Sequence, residues 1–185
     1  MKHSVYRLVA IVAVSLFISH GGPAAAQQPS EYQVKAAFLY NFLNFVEWPQ
    51  SVLNDTTLTI GILGTNPFKE AIKRFEARKV EGRSLRIVHS ERLQDLPFCH
   101  ILFVSNSEEK SFTQIFQYLS NQPTLTVGET KDFAQQGGIV NFFLQDKKVR
   151  FEINLQQSKD ARLQLSSKLL KLARIVENER GEVSQ

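Results

Sequence analysis

The chain has 185 residues, of which 43% are hydrophobic and 22% charged, with a formal net charge of +4. This balance is ordinary for a globular fold and not for a disordered chain. The charge does not mark a nucleic-acid binder, because no basic run interleaved with aromatics accompanies it.

The first 26 residues hold Lys2, Arg7 and no acid. An apolar run of 11 residues, 8–18, is followed by His20, Gly21, Gly22, Pro23 and the small Ala24, Ala25 and Ala26. These are the three regions of a secretory signal peptide in order, with cleavage expected after Ala26. A membrane anchor needs about 20 apolar residues, and this run is too short. The expected mature chain is one domain over 27–177 with a polar tail over 178–185. Without Lys2 and Arg7 it keeps 20 basic and 18 acidic residues, a net charge of only +2.

Ser30 and Gln33 have the spacing of a capping box, so a helix is expected over 31–46. Val34, Phe38, Phe42 and Phe45 form its apolar stripe, widened by Leu39, Leu43 and Val46, and Pro49 stops it. A β-branched strand is expected over 57–64. A helix over 68–76 buries Phe68, Ile72 and Phe75. Strands follow at 84–88 and 100–104, the latter apolar enough to be central. Ser107 is expected to cap a helix carrying Phe112, Ile115, Phe116 and Leu119, with Glu108 and Glu109 in its first turn. A fourth parallel strand covers 124–127. Residues 139–144 and 149–153 flank the turn Gln145-Asp146-Lys147-Lys148 as a hairpin. A last helix over 166–176 presents Leu169, Leu172, Ala173 and Val176 on one side and Lys168, Lys171 and Arg174 on the other. Strands alternating with helices, then a hairpin, predict an α/β sandwich. Its sheet is mainly parallel, helices cover both faces, and the antiparallel hairpin lies at one edge.

The residues that carry chemistry are few. Cys99 is the only cysteine, so an internal disulfide is excluded. It reads as a buried small hydrophobe, with an intermolecular disulfide or a redox-sensitive thiol as the alternatives. His100 sits at an apolar strand and reads as structural. A Cys99–His100 catalytic pair fails, because adjacent strand residues point to opposite faces. No His or Cys spacing suits zinc, and no nucleophile elbow or phosphate loop is present. The expectation is a protein without catalytic residues, metal or cofactor. Asn41, Asn44 and Glu47 fall at i, i+3, i+6 as a polar stripe, either a solvated face or a groove for a ligand or partner. Arg150 and Glu152 are same-face neighbours that could pair.

Two stretches carry a resemblance. Tyr32-x-Val34-Lys35-Ala36-Ala37-Phe38-Leu39-Tyr40-Asn41-Phe42 with Glu47-Trp48-Pro49 resembles the N-terminal signature of the YfiR family. Val149-Arg150-Phe151-Glu152-Ile153-Asn154-Leu155, then Ser166-Ser167-Lys168-Leu169-Leu170-Lys171-Leu172-Ala173, is similar to its C-terminal signature, and 99–104 to its central strand. The resemblance implies a Rossmann-like fold in the periplasm. It implies a regulator that restrains an inner-membrane diguanylate cyclase by binding its periplasmic sensor region, and so lowers cyclic di-GMP and disfavours biofilm. An outer-membrane lipoprotein is a second implied partner. The family namesake carries several cysteines in disulfides, and this chain has Cys99 alone.

Three function classes follow. The leading one is a regulatory protein that binds a membrane sensor, with Asn41, Phe42, Phe45, Glu47, Trp48, Lys168, Lys171 and Arg174 as partner-binding candidates. Aromatic anchors and an excess of apolar surface on the first helix motivate it, and they leave a homodimer open. The second is a small-molecule module binding at the carboxyl ends of the strands, with Gly64, Thr65, Asn66, Ser105 and Asn106 as candidates, followed by Ser107. The third, an enzyme, lacks a nucleophile with a base in reach.

Overall fold

The computed structural model describes residues 29–53 and 56–178. The expected signal peptide and residues 179–185 lie outside the described residues. The first helix, α1 (Glu31–Phe42), starts on the expected capping box. The Ser30 hydroxyl accepts from the Gln33 amide at 3.3 Å, and the Gln33 side chain accepts from the Ser30 amide at 2.8 Å. The helix ends four residues before the expected Val46. A turn at Leu43–Phe45 releases the chain into a short strand, β1 (Val46–Glu47).

The central strands are β2 (Thr57–Leu63), β4 (Arg83–Ser90), β5 (Ile101–Val104) and β6 (Leu125–Gly128). They are followed by β7 (Val140–Gln145) and β8 (Lys148–Asn154). A two-residue strand β3 (Lys79–Val80) pairs with β4. Helix α2 (Glu70–Lys73) is shorter than expected, yet Phe68, Ile72 and Phe75 are all buried. The expected cap at Ser107 is displaced: Ser105 caps a 3-10 turn (Asn106–Ser111), and α3 (Phe112–Tyr118) follows.

After the hairpin come α4 (Leu155–Asp160) and a short strand β9 (Gln164–Leu165). The helix expected over 166–176 is replaced by two elements, α5 (Ser167–Leu170) and β10 (Arg174–Val176). Ser166 caps α5, but the helix stops after one turn. Strand pairing won here over an amphipathic period: β10 satisfies its backbone against β8, in parallel, with Arg174 opposite Glu152.

Eight strands form one sheet in the order β10-β8-β7-β6-β5-β2-β4-β3. Pairings from β4 through β7 are parallel, and β7–β8 is the expected hairpin. The hairpin is not the edge, because β10 lies outside it, and a second antiparallel pair (β3–β4) closes the opposite edge. Along β5 the side chains alternate between two cores. Ile101 and Phe103 join the larger core under α1 and α2, while Leu102 and Val104 join the smaller one with Phe112, Ile115 and Phe133. Helices therefore cover both faces of a mainly parallel sheet, as expected.

Candidate functional site

In an open parallel sheet the order of strands reverses at one point, and the crevice there is the usual place for a ligand. Here β2 has β4 on one side and β5 on the other, so the reversal lies between the ends of β2 and β5. The structure brings the expected residues together at that place, but their polar groups bond to one another. The Thr65 amide donates to the Ser107 hydroxyl at 3.0 Å, and that hydroxyl donates to Glu108 at 2.9 Å. Gly64 has φ +80°, and a Cβ on it would lie 2.3 Å from the Ser107 hydroxyl. Asn66 turns inward to accept from the Phe68 and Lys69 amides. Ser105 is buried as a cap.

Asn106 belongs to a different place. Its side-chain oxygen accepts from the Thr130 hydroxyl at 2.6 Å, and the residue lines a cleft of about 510 Å³ beside the end of β6. The cleft exists because β7 runs on past the last residue of β6: Gly128 pairs with Asn141, while the hairpin continues to Gln145. One wall comes from the first turn of α1, with Glu31, Tyr32 and Lys35. Lys35 is buried and ion-paired to both Glu31 and Glu129. Tyr32 donates to the other oxygen of Glu129 at 3.2 Å. Burial pulls the Lys35 ammonium down, but hydrogen bonds and charge from Glu129 and Glu31 outweigh it, and its pKa rises. The Tyr32 hydroxyl is also raised, by burial first and then by the Glu129 charge.

A row across β7, β8 and β10 supplies the other wall. The Asn141 amide group donates to Glu152 Oε1 at 3.1 Å, and Arg174 Nε donates to Glu152 Oε2 at 3.0 Å. The guanidinium also lies over the Phe143 ring, 4.4 Å from its centroid. Glu152 is 2% exposed, and both of its carboxylate oxygens are paired by these donors. Arg150, expected as its partner, is exposed and opposite Phe143 instead. Local sequence reading missed this cleft, because its residues come from six separated segments. The signal that was legible is a Lys and a Glu inside otherwise apolar runs, at Lys35 and Glu152.

The partner candidates divide. Phe42 and Trp48 are buried in the larger core and Phe45 is half-buried, so Phe42 and Trp48 are not surface anchors. Phe42 stacks on Phe142 with centroids 5.9 Å apart, and Trp48 meets the His100 ring edge-on. The helical stripe of Asn41, Asn44 and Glu47 is broken by the early end of α1, though all three stay exposed. The basic stripe dissolves too: Lys168 is on α5, Lys171 follows it, and Arg174 serves Glu152. A two-stranded sheet of β1 and β9 joins the two regions, with Val46 opposite Leu165 and Glu47 opposite Gln164. Residues far apart in the chain, Asn44 and Glu47 on one side and Lys168 and Lys171 on the other, are thereby tied to one corner of the molecule.

Cys99 and His100 are both buried. The Cys99 thiol is buried and donates to the Pro97 carbonyl at 3.2 Å. Burial pushes it up to about 12, against a smaller pull from Arg86. His100 accepts from the Thr59 amide at Nδ1 and meets the Val52 carbonyl through Nε2, each at 3.1 Å. Nε2 therefore carries the proton. Among the described residues no group of three or more His, Cys, Asp or Glu is placed to hold a metal ion, and no helix is long and apolar enough to cross a membrane.

A family model described as YfiR/HmsC-like matches residues 32–174. A solved structure described as an ABC domain in complex with L-Trp from Streptococcus pneumonia is similar at 10% identity, with a TM-score of 0.47. The match covers 64% of this chain and 55% of that one, so the chain spans about half the length of that structure.

Proposed function

The chain belongs to the YfiR/HmsC-like family of regulators of diguanylate cyclase signalling, and on that premise we propose that it acts outside the cytoplasm, restraining a membrane-bound diguanylate cyclase by binding its periplasmic sensor region. The observation that carries this reading is the family match, which runs from the first turn of α1 to Arg174 and so takes in both walls of the cleft and the β1–β9 corner. Export rests on the signal-peptide pattern of the first 26 residues. The corner supports a contact with a partner because it is exposed, polar and built from both ends of the matched region. Its Lys168 and Lys171 suit an acidic partner surface, and charges of this kind act mainly on encounter rate and specificity. An outer-membrane lipoprotein that sequesters the protein and frees the cyclase fits the same scheme.

The test is cellular cyclic di-GMP after deletion of the gene, with complementation by forms with and without residues 1–26. The expected result is a rise on deletion that only the exported form reverses. An unchanged level after deletion removes the proposal, and rescue by the form lacking residues 1–26 removes its extracytoplasmic part.

A further inference from the structure

Strand β4 has a long side that β3 does not pair with. β3 meets only Arg83 and Ser84, and Leu85 to Ser90 run on beyond it. The ends of that stretch fix its hydrogen-bond phase. The Ser84 amide donates to the Thr56 carbonyl at 2.8 Å, and the Ser90 carbonyl accepts from the Gly64 amide at 3.0 Å, so both residues face β2. In a parallel ladder one residue turns both backbone groups to one side, and the next turns both to the other. Arg86 and Val88 therefore bond to β2, while Leu85, Ile87 and His89 present their amides and carbonyls outward. Among the described residues no backbone or side-chain group bonds to these outward groups.

Water can serve these groups, so they carry no penalty; what they form is a template. An open strand edge accepts an extended chain as a further strand. Charge decides which chain. Residues 69–86, around α2 and along β3 and β4, hold seven basic and three acidic residues, a net +4. The whole of 27–185 has a net charge of only +2, so the positive charge is gathered here and the remainder is negative. Of the seven cations, only Lys73 and Arg83 meet a carboxylate among the described residues. Arg86 is exposed, and its guanidinium donates to the Thr59 hydroxyl at 3.4 Å. Ile87 and Val88 are half-buried, one on each face of the sheet, and offer an added strand apolar contact on both sides. A second copy of the chain would bring two positive edges together, whereas an acidic strand is complementary.

We propose that the outer edge of β4 binds an extended, acidic segment of a partner protein. The segment joins the sheet through the backbone groups of Leu85, Ile87 and His89, and a carboxylate on it meets Arg86. This surface shares no residue with the β1–β9 corner, so it stands or falls independently of the cyclase reading.

The experiment follows amide hydrogen exchange by NMR in the isotope-labelled protein, with capped synthetic peptides as probes. The first alternates Glu and Val over about six residues. The second has Lys in place of Glu, and the third is the acidic peptide N-methylated at every nitrogen. The expected result is saturable binding of the acidic peptide alone. The amides of Leu85, Ile87 and His89 should exchange fast in the free protein and at least about tenfold more slowly in the complex. Those of Arg86 and Val88 should be slow in both states. Arg86→Glu should weaken binding of the acidic peptide by about tenfold. Absence of saturable binding overturns the proposal, as does protection that spares the three outward amides. Equal binding of the Lys or N-methylated peptide, or unchanged affinity in a folded Arg86→Glu protein, also overturns it. Protection of the same amides that grows with protein concentration and needs no peptide assigns the edge to a second copy and overturns it too. If Arg86→Glu does not fold, the comparison of the three peptides on the natural chain decides alone.

Discussion

Lys35 stands one turn inside α1 among apolar neighbours, at a position where a Leu would satisfy the helix period. Its ammonium is held by Glu31 on its own helix and by Glu129 at the end of β6, so it joins the helix to the sheet. Removing one member of a buried ion pair leaves the others charged and dry. Lys35→Met is therefore expected to lower stability by about 3 kcal/mol, read from urea unfolding. Cys99 is the second buried titratable residue with a consequence. Its thiol is held at about 12 in the folded state against an ordinary 9.0. A raised folded value means stability that is intact below pH 9 and falls as pH climbs toward 12, because the unfolded chain ionises first. Unfolding measured across that window should show a steeper decline in the natural protein than in Cys99→Ala. A thiol reagent at pH 8 should react with Cys99 in urea and hardly at all without it.

Elements meet closely at glycines. Phe133 lies between Gly128, the last residue of β6, and Gly138, just before β7. A Cβ on either would sit within about 2.5 Å of the ring: 2.5 Å at Gly128 and 2.2 Å at Gly138. The ring cannot retreat, since Phe112 and Phe116 both pack edge-on against it and lie tilted on each other. Gly128→Ala is expected to destabilise by about 1–3 kcal/mol through overpacking, seen as a lower midpoint in urea with an unchanged slope. At the sheet edge, β10 is held to β8 by backbone pairing and by the Arg174–Glu152 ion pair. The guanidinium side chain is 60% exposed and the carboxylate 2%, so the two ends of the pair differ in what they lose. Arg174→Ala strands the buried carboxylate and is expected to cost about 2 kcal/mol. The added expectation is faster amide exchange along β10 and the outer side of β8.

At the scale of the molecule, the β1–β9 pairing ties the exit of α1 to the start of α5, and Ser166 donates its amide to the Phe45 carbonyl at 2.9 Å. That corner is exposed, so charge changes on it should leave the fold alone. Lys168→Glu with Lys171→Glu is expected to change unfolding stability by less than about 0.5 kcal/mol per site. The same double variant should fail to return cyclic di-GMP to its natural level in the deletion strain. If it complements as well as the natural protein, those lysines do not meet the partner. The β1–β9 corner and the charged cleft share no residue, so each can be altered without the other.

What the sequence determined by itself was set by local physics. The capping box at Ser30 and Gln33, the central apolar strand at Ile101–Val104, the hairpin, and the α/β order all depend on neighbours a few residues apart. The switch-point residues from Gly64 to Ser107 were also legible as a pair of adjacent loops, because strand ends define them. Tertiary structure decided the rest. Residues 166–176 carry a helical period, yet Arg174–Val176 pair with β8, because a strand there completes an open edge and gives Glu152 its cation. Phe42 and Trp48 read as surface anchors and are core, since the hairpin and His100 cover them. The charged cleft joins Lys35, Asn106, Glu129, Asn141 and Arg174 only through the sheet order. No periodicity within one segment encodes a hydrogen bond between residues 94 positions apart.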